Sequence, residues 1–184
     1  MRTDVEAAPR PATLADRRRV VVRPATPADL PALRTFLDGL APASAYARFF
    51  TPRPRLDDGQ LMVLASTAPG HGALLAVPEG AGGPIAAFGS YVYERDLDSC
   101  EIGIAVADAW QNAGLGTLVV LLLVRAATVE GMRRFHAEVL GGNVRMLSLL
   151  RTLGAPHRTR LEGGVAHVEF SLPAGNIAPG LAVP

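Results

Sequence analysis

The sequence predicts a mixed α/β domain, α+β in its ordering, built around one central sheet. Three observations carry that expectation. Strand-like runs of β-branched and apolar residues recur along the chain, amphipathic helical stretches separate them, and glycine-bearing turns sit where the period changes. At 184 residues with 49% hydrophobic composition, the chain suits one well-buried domain and is short for two. Residues 1–19, rich in Ala, Pro and charge, read as a flexible tail, and so do residues 173–184; the domain is expected over residues 20–172.

Within the domain, Val20-Val21-Val22-Arg23 reads as a short strand. Thr26-Pro27 supplies a cap and a first helical residue, and Leu30, Leu33, Phe36, Leu37 and Leu40 then fall on one helical face. Short helices are expected over Ala43–Phe50 and Asp57–Ser66. The period then changes: Gly72–Val77 and Pro84–Glu94 are strands about the turn Gly80-Ala81-Gly82-Gly83, and Cys100–Ala107 is a third. Gly116–Glu130 is an apolar helix closed by Gly131, Arg134–Leu140 a strand, and Asn143 caps a helix running to Leu153. His157–Leu161 and Val165–Leu172 form a terminal hairpin.

Composition narrows the function classes. Eighteen basic and 17 acidic residues give a formal charge of +1, which argues for neither nucleic acid nor membrane as a partner. All basic residues are arginine, so the chain offers no lysine of its own to acylation. Cys100 is the single cysteine and the four histidines lack ligand spacing, so no disulfide framework and no metal site are expected. The longest apolar run, Leu118–Val124, falls short of the ~20 residues of a membrane span, and the compartment expected is the cytoplasm. Monomer and homodimer both suit the pattern.

The chemistry concentrates at Gln111-Asn112-Ala113-Gly114-Leu115-Gly116, between a strand and a long apolar helix. A helix N-terminus offers unpaired N–H groups and partial positive charge, a cradle for phosphate oxygens that needs no lysine. A nucleoside triphosphate loop would place Lys-Ser or Lys-Thr after the last glycine, where this chain has Thr117-Leu118. The dinucleotide fingerprint wants a third glycine where Val119 stands.

Gln-x-x-Gly-x-Gly after a strand ending Ala105-Val106 resembles the acyl-CoA loop of the GNAT superfamily of N-acetyltransferases. The stretches VVVRPATPADLPAL and NVRMLSLLRTLGA resemble the opening and the late Asn-led helix of that superfamily, so the resemblance covers roughly Val20 to Leu172. SAYARFF and HAEVLGGNVRML look most like the bacterial protein-lysine acetyltransferase domains.

The resemblance implies a mostly antiparallel sheet with a splayed parallel pair, flanked by helices, and acetyl-CoA (coenzyme A) held in the splay. Backbone near Ile104, Ala105 and Val106 would pair with the pantetheine. The loop from Gln111 through Asn112, Ala113, Gly114, Leu115 and Gly116 to Thr117 would hold the pyrophosphate, and Asn143, also a plain helix cap, would reach the cofactor. Glu101, on the small-residue face with Gly103 and Ala105, matches an acid that serves as general base; Glu138 is a second candidate carboxylate, or a partner for Arg48. His136 shares the face of Glu138 and reads as a packed or surface histidine. Tyr46 and Arg48 would touch the acceptor. Trp110 reads as a structural plug beside the loop.

One departure stands out. Leu150 occupies the place where many members carry a tyrosine that protonates the leaving thiolate, so solvent would have to serve. The expected activity is acetyl transfer from acetyl-CoA to a primary amine, a protein lysine or a small amine. A CoA-binding module with little turnover is the alternative. The sequence shows no concentrated acidic patch to select the acceptor.

Overall fold

A computed structural model describes residues 8–80, 82–152 and 157–171. Its eight strands are β1 (Arg10–Thr13), β2 (Arg19–Pro24), β3 (His71–Pro78), β4 (Ala87–Glu94), β5 (Ser99–Val106), β6 (Arg134–Leu140), β7 (His157–Glu162) and β8 (Val165–Ser171). Five α-helices accompany them: α1 (Leu30–Asp38), α2 (Pro42–Phe49), α3 (Asp58–Leu64), α4 (Leu115–Val129) and α5 (Val144–Thr152). The strands form one sheet in the order β1-β2-β3-β4-β5-β6-β8-β7. Every neighbouring pair is antiparallel except β5 and β6. This is the mixed α/β sheet that the sequence predicts, with the parallel pair that the resemblance implies.

Alternation along the strands divides the core in two. On one face, Leu33, Phe36, Leu37 and Leu61 of α1 and α3 pack with Leu75 and Phe88. On the other, Val119, Val120, Leu123 and Val124 of α4 pack with Ile102, Phe135 and Val139. Helix α4 is buried along most of its length, which is why its sequence is apolar on nearly every side. Each fully buried Val or Leu there contributes about 1.5–3 kcal/mol relative to exposure.

The approach to α1 is fixed by charge. Asp29 accepts from the Thr26 N–H at 2.8 Å and the Thr26 hydroxyl at 2.7 Å, and it pairs with Arg23 of β2 at 2.6 Å. The Arg23 guanidinium holds the Asp29 carboxyl well below the usual carboxylate range. Thr26 is the N-cap of a 3-10 turn over Pro27–Asp29 that precedes α1, and with Asp29 it forms a capping box.

One expectation needs correction. The segment read as an N-terminal tail is ordered from its middle: β1 pairs with β2 from Arg10↔Val22 to Thr13↔Arg19, and Leu14 is buried. A four-residue edge strand of Arg10, Pro11, Ala12 and Thr13 has little of the β-branched composition that marks a strand; pairing with β2 supplies what propensity does not. Gly154, expected to stop the Asn143-led helix, and residues 173–184 lie outside the described residues.

Candidate active site

Strands β5 and β6 are paired only at Cys100↔Phe135 and Glu101↔His136. Beyond that point β5 continues to Val106 and β6 to Leu140 without pairing each other. The edge of β5 that faces the gap therefore presents backbone around Ile104, Ala105 and Val106 to whatever fills it. Ala105 turns its side chain into the core of α1 and α3, while Ile104 and Val106 pack toward α4.

Where β5 ends, a 3-10 turn (Asp108–Trp110) leads into the glycine loop. Asn112 and Gly114 both adopt left-handed backbone, at φ 64° and 85°. Gly114 is the residue immediately before α4, and a Cβ there would meet nothing within 4 Å, so the glycine serves backbone conformation and not packing. The first intrahelical bond runs from the Leu118 N–H to the Gly114 carbonyl at 3.1 Å. The N–H groups of Leu115, Gly116 and Thr117 precede it, at the positive end of the helix dipole. Ala113 and Leu115 bury their side chains, leaving Asn112, Gly114 and Thr117 exposed. Such a loop fits the phosphates of an acyl-CoA without any lysine.

The loop is braced from two directions that the sequence does not announce. From the N-terminal segment, the Ala15 N–H donates to the Ala113 carbonyl at 3.2 Å, and Arg18 donates to the Ala109 carbonyl at 2.8 Å. The Arg18 guanidinium also lies over Trp110, 4.1 Å from the ring centroid. From α2 and the residue before it, the Ser44 hydroxyl and the Ala41 N–H both donate to the Asp108 carboxylate, at 2.6 Å and 3.0 Å. These bonds, led by Ser44, hold the Asp108 carboxyl below its ordinary value. Gln111 uses its Nε2 on Ser44 at 3.0 Å and on the Val106 carbonyl at 3.3 Å, so it locks the loop to α2 and to the end of β5.

Glu101 sits in the last paired position before the strands part, on the face covered by α1–α3. Cross-strand partners share a face, so Glu101, His136 and Glu169 make one row across β5, β6 and β8, and Glu138 and His167 make the next. His136 places Nδ1 3.0 Å from the Ser99 hydroxyl and Nε2 3.8 Å from Glu94. His167 Nδ1 lies 3.2 Å from Glu138. Glu138 is exposed and faces His167, not Arg48.

With Glu94 and Ser99 these groups line an open groove of about 790 Å³. Four carboxylates, Glu94, Glu101, Glu138 and Glu169, thus converge from four strands. Arg134 and Arg158 also line the groove, and its grouping of glutamates is invisible in the sequence because each strand contributes a single one.

Tyr46 is 44% exposed on α2. Arg48, on the same helix, points inward: its Nη2 lies 3.3 Å from the Ser90 hydroxyl, and a Cβ at Gly103 would overlap its guanidinium carbon. The sequence signal for that contact was the isolated glycine inside the strand EIGIAV, which marks a close approach. Asn143 accepts from the Met146 N–H at 3.2 Å through its side-chain oxygen, which makes it the cap of α5. Leu150 is 2% exposed and belongs to the core against α4.

The splayed strands, the lysine-free loop and the strand acid together match one known architecture. The family model for the acetyltransferase (GNAT) domain matches residues 19–156. The chain belongs to the GNAT acetyltransferase family. Acetyltransferases of that family use acyl-CoA.

Among relatives, the chain is 32% identical over 102 residues to acetyltransferase Pat of Mycolicibacterium smegmatis, a stretch that covers 55% of this chain and 30% of that protein. The GNAT domain of S. lividans PAT has a similar structure, with a TM-score of 0.77 and 28% identity, covering 89% of this chain and 97% of that one. A cAMP-binding acyltransferase from Mycobacterium smegmatis aligns at a TM-score of 0.63 and 24% identity, over 97% of this chain and 52% of that chain. The structure of yncA from Salmonella typhimurium, described as an acetyltransferase with its cofactor acetyl-CoA, shares the fold at a TM-score of 0.66 and 20% identity, over 87% of this chain and 97% of that one. The chain spans about a third of the length of the Pat relative and about half of the cAMP-binding acyltransferase. Among the described residues, no helix is long and apolar enough to cross a membrane.

Proposed function

We propose that this GNAT domain transfers an acetyl group from acetyl-CoA to a primary amine, with Glu101 as the general base. The observation that carries the reading is the place of Glu101: a carboxylate at the last paired position before β5 and β6 diverge, beside a β5 edge that β6 leaves unpaired.

Bound acetyl-CoA would supply an acyl thioester whose carbonyl carbon is open to a nucleophile. The first-turn amides of Leu115, Gly116 and Thr117, with the left-handed turn at Asn112 and Gly114, would hold its phosphates. The gap-facing backbone of Ile104, Ala105 and Val106 would pair with its amide-bearing arm. Asn143 has given its side-chain oxygen to the Met146 N–H, so its NH₂ is the group left to contact the cofactor. The amine would enter on the α1–α3 face, where Glu101 takes the proton shed by the attacking nitrogen, directly or through water. Leu150 is buried and apolar, so the proton for the departing sulfur would come from solvent. Glu138 lies on the same face within the open groove, where it would attract an incoming ammonium and is not required as a base. A lysine of another protein and a small amine are both acceptors that this reading allows.

The buried Leu150 also favours a second reading, a domain that binds acyl-CoA with little turnover. Steady-state thiol release from acetyl-CoA, with lysine peptides, polyamines and amino acids as acceptors and Glu101→Gln alongside, separates the two. Acceptor-dependent release that the variant loses supports transfer. Tight CoA binding with silence across the panel supports the binding module.

A further inference from the structure

Arg48 lies at the end of α2 with its guanidinium between the Phe49 ring, 5.0 Å from the centroid, and the bare Cα of Gly103. Among the described residues, its hydrogen bond to the Ser90 hydroxyl is long at 3.3 Å and its buried Nε has no partner. Burial lowers its pKa and attraction from Glu101 opposes that shift, but an arginine stays cationic across any working pH. An enclosed guanidinium with an unused N–H is costly unless something pairs with it.

The same guanidinium lines a cavity of about 220 Å³, whose wall also includes Glu101, Ser90, Phe49, Leu64 and Val92. Arg48 and Glu101 therefore border one space, and among the described residues they form no ion pair with each other. At ~30 Å³ of liquid volume per water, the cavity has the volume of roughly seven waters, the scale of a small amino acid. Its wall offers a fixed cation, a carboxylate and an apolar patch.

Resting on the amine-acylating reading above, we propose that the acceptor is a small zwitterion, an amino acid whose carboxylate binds Arg48 while its amine faces Glu101. The apolar side chain lies against Phe49, Leu64 and Val92. A carboxylate is the partner that gives a cavity-lining guanidinium the charge-assisted, parallel bonds it makes best. A lysine side chain brings only a positive charge and leaves Arg48 unpaired. In the transfer, the neutral amine attacks the thioester carbonyl carbon, the N–C bond forms and the C–S bond breaks. The nitrogen's proton passes to Glu101 and the sulfur takes a proton from solvent, giving an N-acetylamino acid and free CoA thiol.

The test compares leucine, methionine and phenylalanine with their own amides as acceptors for the full chain with acetyl-CoA. The amide sheds its ammonium proton more readily, so preference for the acid cannot come from intrinsic reactivity. The expected result is a kcat/KM about 10- to 100-fold higher for each acid than for its amide, the range of a charge-assisted hydrogen-bonding site. In Arg48→Met that ratio falls to about one. Amides or lysine peptides turned over as well as the acids overturn the zwitterion while leaving amine transfer intact. Equal loss of acid and amide turnover in Arg48→Met, with the ratio kept, also overturns it. Should the wild type acetylate no amine, the transfer reading fails separately. Calorimetry on the CoA complex then decides the subsite: acids binding without their amides support it, and equal or no binding overturns it.

Discussion

The two halves of the candidate site are built in opposite ways. The loop from Gln111 to Thr117 is one continuous stretch that presents backbone amides, so most side chains around it serve as props. The acceptor side is a set of side chains gathered from α2, β4, β5, β6 and β8. A backbone site tolerates most substitutions that keep its dihedrals. A side-chain site fails at single residues, and its chemistry is lost with them.

The largest expected effect breaks the acceptor half alone. Glu101→Gln should lower kcat by about 10²- to 10⁴-fold, the usual worth of a general base, with CoA affinity nearly unchanged. Turnover against acetyl-CoA binding by calorimetry checks this; parallel losses in both would remove the role. Next, Gly114→Val should strike the cofactor half, because a β-branched residue at φ 85° is strained by about 1–3 kcal/mol. KM for acetyl-CoA should rise about tenfold or more, while the pH profile of turnover keeps its shape.

A smaller effect tests the props. Arg18→Ala removes the stacking on Trp110 and the bond to the Ala109 carbonyl, so KM for acetyl-CoA should rise about two- to fivefold with little change in kcat at saturation. An unchanged KM would show that the N-terminal brace does not reach the loop.

The pH response sharpens the same contrast. Ser44 holds the Asp108 carboxyl below its ordinary value of 3.8, and Arg23 does the same for Asp29. A carboxyl depressed in the fold stabilises the protein above its unfolded value, and that stabilisation is lost as pH falls through the folded value. Thermal stability should therefore hold from neutral pH to about 4 and decline below it, and Asp108→Asn should flatten part of that decline. The smallest effect concerns Cys100, whose thiol burial pushes up to about 11. A thiol reagent at neutral pH should leave it unmodified in the native protein and modify it within minutes in denaturant.

Much of the fold was legible because periodicity reports burial. The positions Leu33, Phe36 and Leu37 fell on one face by spacing alone, and α4 announced its burial by being apolar nearly throughout. Strand β1 was not legible, since alanine, proline and arginine lack strand character and the pairing with β2 supplies it. The partner of Glu138, left open by the sequence, was not legible for a related reason: alternation gives the face of a residue and says nothing of its partner, which is His167 on β8.

What the sequence by itself determined was the elements from β2 onward, the lysine-free glycine loop and the strand acid, because each is encoded in residues adjacent along the chain. Tertiary structure decided the rest. It alone sets Arg48 beside Gly103 across a cavity from Glu101, lays Arg18 on Trp110, and collects four glutamates from four strands into one groove. Local propensity acts over a few residues. Packing and electrostatics between distant segments depend on register and strand order, which exist only once the sheet has formed.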